Sequence, residues 1–328
     1  MHMTRFSAGL LSALLLLGAS QAQAQSVNLA LDSPPSYDVQ PTYRWAKNFT
    51  DKLAEEGFKT ELFAYNSIGG EAERFDQLRA GLLNVDMAGY AFGVQLVPEM
   101  EVVRLPYVFD DMDHLARFIS DSDFLEKVNE KMAPSGARVL AIVPLAGFMG
   151  IFNDEHPVAS KADLSGIRLR ALDASQMNLI KALGADGVVI PFSEVPSALQ
   201  TGVADGYINP VNVPLTFGHG DLLKYYTNAE IMVGARLALA SEQWWDDLSD
   251  AEKAKVQAAV DAANADLFDW AASASAAEGQ NLKDAGFEIT ELSPDARAEF
   301  VAATQSMRDT LDVPNKDAYL AEIEAAKK

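Results

Sequence analysis

A chain of 328 residues, 49% hydrophobic and 22% charged, is too long for one ordinary core and suits two lobes. It holds no cysteine, which excludes disulfides, thiolate catalysis and thiolate metal sites. A formal net charge of −21 argues against nucleic acid and anionic membrane surfaces as partners, and repels anionic ligands at long range, so any anion site must be built from local, fixed donors.

Residues 1–24 read as a secretory signal. Arg5 gives a short basic region, residues 8–19 an apolar run, and Ala22-Gln23-Ala24 an A-x-A cleavage site, so Gln25 is the expected mature start. The run is shorter than the roughly 20 residues a spanning helix needs. Without Arg5, 25 of the 26 basic residues face 47 acidic ones, giving an expected mature chain of charge −22. No later segment is long and apolar enough to span a membrane, and an exported, soluble protein is expected.

The polar–apolar alternation of residues 26–31 predicts a first strand, followed by the Pro-stiffened loop SPPSYD. Trp45, Phe49 and Leu53 recur at helical spacing behind Pro41. A strand over 59–65, a helix over 71–80 stopped by Gly81, and a buried strand over 84–89 complete a β-α-β-α-β unit. RLPYVF at 104–109 reads as an extended apolar segment. Asp110, Asp111 and Asp113 read as acids favoured by a helix start rather than a calcium loop, whose glycine and distal glutamate they lack. Short helices follow over 112–119 and 123–131.

A strand over 138–143 continues into GFMGIFN. Ile167 and Leu169 then alternate with Arg168 and Arg170 on a strand. Met177, Ile180 and Leu183 mark a helix ended by Gly184, with a strand over 188–190 after it. Ser193 is expected to cap a helix that Gly202 ends, and residues 203–209 return as a strand, making a second α/β unit. Strands over 222–227 and 231–240 lead back. The capping box Ser249-Asp250-Ala251-Glu252 opens a helical pattern to about residue 284, roughly 50 Å long if unbroken and thus a brace across both lobes. A break near 276–279 is the competing reading. Ser293-Pro294 starts another helix, and the acidic, lysine-rich end reads as a solvated tail.

The chemistry is sparse. Serine-nucleophile elbows, H-E-x-x-H and Walker patterns are absent, and His114, His156 and His219 lack metal-ligand spacing. Arg170, at a strand end, offers a planar fork that can hold a carboxylate through two charge-assisted hydrogen bonds. Its spacing alone serves equally for an ion pair with Asp173, and Arg168 points the same way. Asn209, fixed by Pro210, both donates and accepts, or simply closes a strand-end turn. Tyr37, Tyr65, Tyr90, Phe92 and Phe152 lie in or near loops after strands, where α/β lobes host ligands.

The stretch DLSGIRLRA … LGADGVVIPFSEVPSALQTGVADGYINP, residues 163–210, resembles the signature of solute-binding proteins of tripartite ATP-independent periplasmic (TRAP) transporters, of the dicarboxylate-binding type. SIGGEAERFDQLRAG, RLPYVFDDMDH and EQWWDDLSDAEK extend the resemblance across the mature chain. It implies an α/β, two-lobed periplasmic binding protein, type II-like, with a cleft between lobes and a long helix spanning both. The lobes expected are 25–146 plus about 237–275, and 147–236 plus about 276–312, with 313–328 as tail. It implies a periplasmic receptor, expected to be a monomer, that closes on an organic acid and delivers it to the membrane permease subunits of a TRAP transporter. The family's selectivity arginine falls on Arg170 rather than Arg168, and its cleft asparagine on Asn209. Two departures stand out. Met149 replaces a second cleft arginine found in many members, and Ile208 replaces a polar residue before the Asn-Pro. One arginine among apolar neighbours suits a monocarboxylate better than a dicarboxylate, unless a further basic residue enters from the other lobe. The reading assigns no catalytic residue, cofactor or metal. Its rivals are a receptor for an ATP-driven importer or sensor, an exported enzyme acting on organic acids, and a structural envelope protein.

Overall fold

The computed structural model describes residues 25–327, and the expected signal segment, 1–24, lies outside the described residues. The chain opens with strand β1 (Ser26–Ala30), helix α1 (Pro41–Glu55), β2 (Lys59–Phe63), α2 (Glu71–Arg79), β3 (Val85–Gly89) and α3 (Tyr90–Leu96). The segment expected to be extended, 104–109, instead leaves a 3-10 helix (Pro98–Arg104) as irregular chain, with Tyr107 at φ 53°. Helices α4 (Met112–Asp121) and α5 (Phe124–Met132) follow. Asp111 caps α4 by accepting from the His114 amide at 2.7 Å, so this acid does serve a helix start.

Strand β4 (Ala137–Phe148) leads directly into β5 (Gly150–Asn153), and then come β6 (Arg168–Ala171), α6 (Ala174–Leu183) and β7 (Asp186–Val189). Ser193 forms no cap. It lies inside a 3-10 turn (Phe192–Glu194), and α7 (Val195–Gln200) begins only after that turn. Strand β8 (Gly206–Asn209), helix α8 (Val213–Thr216), β9 (Tyr225–Asn228), β10 (Val233–Ser241) and α9 (Glu242–Asp247) precede the long helix α10 (Asp250–Asp284). Strand β11 (Glu288–Glu291) and helices α11 (Pro294–Thr310) and α12 (Lys316–Ala325) end the described chain.

The strands form two sheets, ordered β2-β1-β3-β10-β4 and β11-β9-β5-β8-β6-β7. Period-two alternation gives each sheet two buried faces. Along β10, Leu237 and Leu239 join a core with Phe75, Phe118 and Phe124, while Ala238 and Ala240 face Trp45, Phe49, Val256 and Leu267. In the second sheet Ile151 and Leu169 pack with Ile180 and Phe300, and Phe152 and Tyr207 pack on the opposite face with Val195 and Leu282.

Two crossing strand segments, helix α10 and the chain between α11 and α12 join the lobes. Residues 148–150 and 231–233 cross side by side, with the Met149 amide donating to the Met232 carbonyl at 2.8 Å and the Ile231 amide to the Met149 carbonyl at 3.0 Å. Gly147 takes φ 130°, a conformation that favours glycine, just before this crossing. Gly234 sits where a Cβ would lie 2.7 Å from Pro210 Cγ and 3.3 Å from Met149 Cε, so the two crossing segments pack closely because no side chain stands between them. Helix α10 runs unbroken for 35 residues, about 50 Å, from the Val256–Leu267 layer on the first sheet to Leu282 under the second.

The C-terminal end is not a solvated tail. Helix α12 buries Tyr319 and Ile323 against the first lobe, where Tyr319 meets Phe124 edge-on at 5.1 Å and the Ile323 carbonyl lies 2.7 Å from His114 Nε2. Ile323→Ala is therefore expected to lower folding stability by about 3 kcal/mol in denaturant titration. A change below about 0.5 kcal/mol, the scale of a surface substitution, would show the helix to be peripheral.

Candidate functional site

A cavity of about 570 Å³ lies between the two lobes, a size typical of small-molecule sites at roughly 300–1,000 Å³. One wall comes from the carboxyl ends of the parallel strands β6 and β8, the edge at which α/β sheets receive ligands. Arg170 stands near the end of β6, on the face opposite Leu169, and is 2% exposed. Its Nε donates to the Ile190 carbonyl at 2.8 Å, and its guanidinium lies 5.7 Å from the Phe192 ring centre. Its Nη2 is buried without a hydrogen-bond partner among the described residues. Burial lowers its pKa to about 10, which still leaves it charged at neutral pH. Asn209 closes β8 beside it, and its Nδ2 is likewise buried and unpartnered. Two side chains therefore line one wall, each with one buried donor atom uncommitted.

Arg168, the competing arginine, points to the surface, with its side chain 49% exposed and 3.9 Å from Asp205. Asp173 does not pair with Arg170. It caps α6 and binds Arg104 of the first lobe at 2.8 Å, with Arg104 also 3.4 Å from Glu101. Glu101 in turn accepts from the Ser175 hydroxyl across the same boundary. These contacts tie the lobes together at the cleft rim.

Of the other expected residues, Met149 and Tyr90 line the cavity, as does Tyr65. Tyr90 donates to the Met100 carbonyl at 3.1 Å, so its ring, not its hydroxyl, is presented. Three aromatics fall elsewhere. Tyr37 donates to Asn48 at 2.9 Å and lies 4.4 Å beneath the Arg44 guanidinium. Phe92 packs on Phe75, with ring centres 4.6 Å apart. Phe152 is fully buried in the second lobe, 4.5 Å from Tyr226, because the central strand β5 is covered on both faces.

The first-lobe wall carries groups that spacing did not single out. Arg236 of β10 lies 2.8 Å from Asp32 and also pairs with Glu71 of α2. Burial alone would lower the Arg236 pKa, but Glu71, Asp32 and Asp86 raise it on balance. Arg74 donates to the fully buried Asp86 at 2.8 Å. The signal available for these residues was their place at strand ends and first turns on the same side of the first sheet. Phe192 and Phe217, with rings 4.9 Å apart, add an apolar flank near Arg170.

The family described as bacterial extracellular solute-binding protein, family 7, matches residues 36–311. A solute-binding protein of Chromohalobacter salexigens is 27% identical over 98% of this chain and 96% of its own. The sialic acid-binding periplasmic protein SiaP of Vibrio cholerae is 31% identical over 66% of this chain and 68% of its own. The crystal structure of a TRAP periplasmic solute-binding protein from Roseobacter denitrificans with bound β-D-glucuronate superposes with a TM-score of 0.81 at 25% identity, covering 92% of this chain and 99% of that one.

Asp86 gives the cleft wall a pH signature. Burial raises its pKa from 3.8 to about 6, against the opposing pull of Arg74. Between those values the folded protein binds more protons than the unfolded chain, so this group's contribution to stability falls as pH rises from about 4 to about 6. Asp86→Asn is expected to flatten that part of a melting-temperature profile against pH. An unchanged slope would assign the dependence to other groups.

Proposed function

Because the chain belongs to the bacterial extracellular solute-binding proteins of family 7, we propose that it is a periplasmic receptor that captures a carboxylate-bearing small organic acid and delivers it to the membrane subunits of a TRAP-type secondary transporter. One observation carries the reading: the guanidinium of Arg170 is buried at the cavity wall, without an ion-pair partner among the described residues, and with an uncommitted Nη2. A carboxylate supplies the missing counter-charge and accepts from both Arg170 and Asn209. The acids named for its relatives, sialic acid and glucuronate, are carboxylates, which supports this ligand class.

In this reading Met149 and Tyr90 shape the pocket, and closure of the lobes about residues 148–150 and 231–233 completes it. The moving bodies are 25–146 with about 237–275, and 147–236 with about 276–312, with α12 carried on the first. The protein works as a monomer, as a binder and not as a catalyst, with no role for nucleic acid. Support for binding over catalysis comes from relatives named as solute-binding proteins.

Arg170→Ala is expected to abolish ligand-induced thermal stabilisation, which in the native protein amounts to about 2.7 kcal/mol at a ligand concentration of 100 Kd. Arg170→Lys should recover little of it, because an ammonium keeps the charge and loses the planar fork. Unchanged stabilisation in the alanine variant would remove this arginine from the site.

A further inference from the structure

Buried polar atoms without hydrogen-bond partners among the described residues sit on both walls of the cavity. On the second lobe they are the donors Arg170 Nη2 and Asn209 Nδ2 and the acceptor Asn212 Oδ1. On the first lobe Asp32 presents an acceptor, its Oδ1, which has no hydrogen-bond partner among the described residues although the side chain is only 8% exposed. A buried acceptor in that state is stabilised by any donor that reaches it.

The charges, by contrast, do distinguish the walls. Three of the guanidiniums that line the cavity are already held by carboxylates. Arg236 is held by Asp32 and Glu71, Arg74 by Asp86, and Arg104 by Glu101 and Asp173. Five carboxylates thus meet three guanidiniums, and Arg170 is the lining arginine left without an ion pair among the described residues. A ligand carboxylate at Arg170 finds a free cation. A second carboxylate at the far wall finds Arg236 engaged and two like charges beside it.

Resting on the carboxylate-receptor reading above, we propose that the ligand is a monocarboxylate whose other end carries hydrogen-bond donors, hydroxyl or ammonium, directed at Asp32, and that Asp32, Arg236 and Glu71 form the selectivity element that rejects dicarboxylates. Asp32 accepts from the ligand. Arg236 holds Asp32 and Glu71 in place and is thereby unavailable to a second ligand anion. Glu71, half-exposed at the start of α2, adds negative charge to the same wall.

Titration calorimetry on two sets of acids that differ at the far end tests this. One set is butyrate, 4-hydroxybutyrate, 4-aminobutyrate and succinate, and the other is gluconate, glucuronate and glucarate. Within the sets the donor-bearing monoacid is expected to bind roughly tenfold or more tightly than the diacid, the scale of one added like-charge contact at a partly buried site. A diacid or butyrate binding tightest in its set, or no binding by any member, overturns the proposal. Asp32→Asn and Glu71→Gln each remove one negative charge with little change of shape, and both should shrink the diacid penalty. An unchanged ratio in both variants also overturns it. Failure of the underlying reading looks different. In that case Arg170→Ala binds the acids as the native protein does, whereas failure of the selectivity proposal alone leaves the Arg170→Ala loss intact and changes only the ranking.

Discussion

A guanidinium buried without a counter-ion is the constraint on which the cleft depends. Taking a charge out of water carries a penalty of several kcal/mol unless something nearby compensates it. At Arg170 the protein supplies a single backbone carbonyl and a ring face, which hold the side chain in position but do not neutralise it. The depressed pKa records the deficit, with burial as its main cause. The net negative charge of the chain cannot make it up, because screening confines that field to roughly a Debye length, about 10 Å at 0.1 M salt, and it acts in the wrong sense on an incoming anion. Binding of a carboxylate therefore relieves a cost already present in the fold.

The architecture serves that one residue from several sides. The parallel pairing of β6 with β7 and β8 places Arg170 and Asn209 at neighbouring strand ends, and buries Leu169 on the far face so that the arginine cannot turn away. The Ile190 carbonyl that receives Nε comes from the residue just after β7. Across the cavity, the crossing segment 231–233 runs into β10, which delivers Arg236 beside Asp32 and Glu71. The Arg104–Asp173 pair holds the rim with a contact that opening of the lobes would break and solvate, so water competes for both partners.

Much of this was legible from residue order. The two α/β units, the start of α10 and the parity of Leu169 and Arg170 followed from period and capping, while a break in α10 near 276–279 stayed open until the structure showed one helix. The choice of Arg170 over Arg168 came from the family resemblance, since both share a strand face. The far wall was not legible. Asp32, Glu71, Arg74 and Arg236 come from four separated segments, and only the strand order of the first sheet brings them together. The aromatics misled for a physical reason. A central strand covered on both faces gives no parity clue, so Phe152 belongs to the core and not to the cleft. The C-terminal segment misled through its composition, which hid Tyr319 and Ile323 one helical turn apart on the same face of a docked helix.

The docking of α12 has a practical consequence for instrumenting this molecule. Strand β1, at the start of the described chain, belongs to the first sheet, and α12, at its end, packs on helices of the same lobe. Both ends of the described chain thus belong to the first lobe. On the proposed closure of the lobes, fluorophores fused at the two ends would keep a nearly constant separation. An optical reporter of closure needs one label on the second lobe, and the exposed turn before β8, at residues 201–203, can accept it without disturbing the arginine.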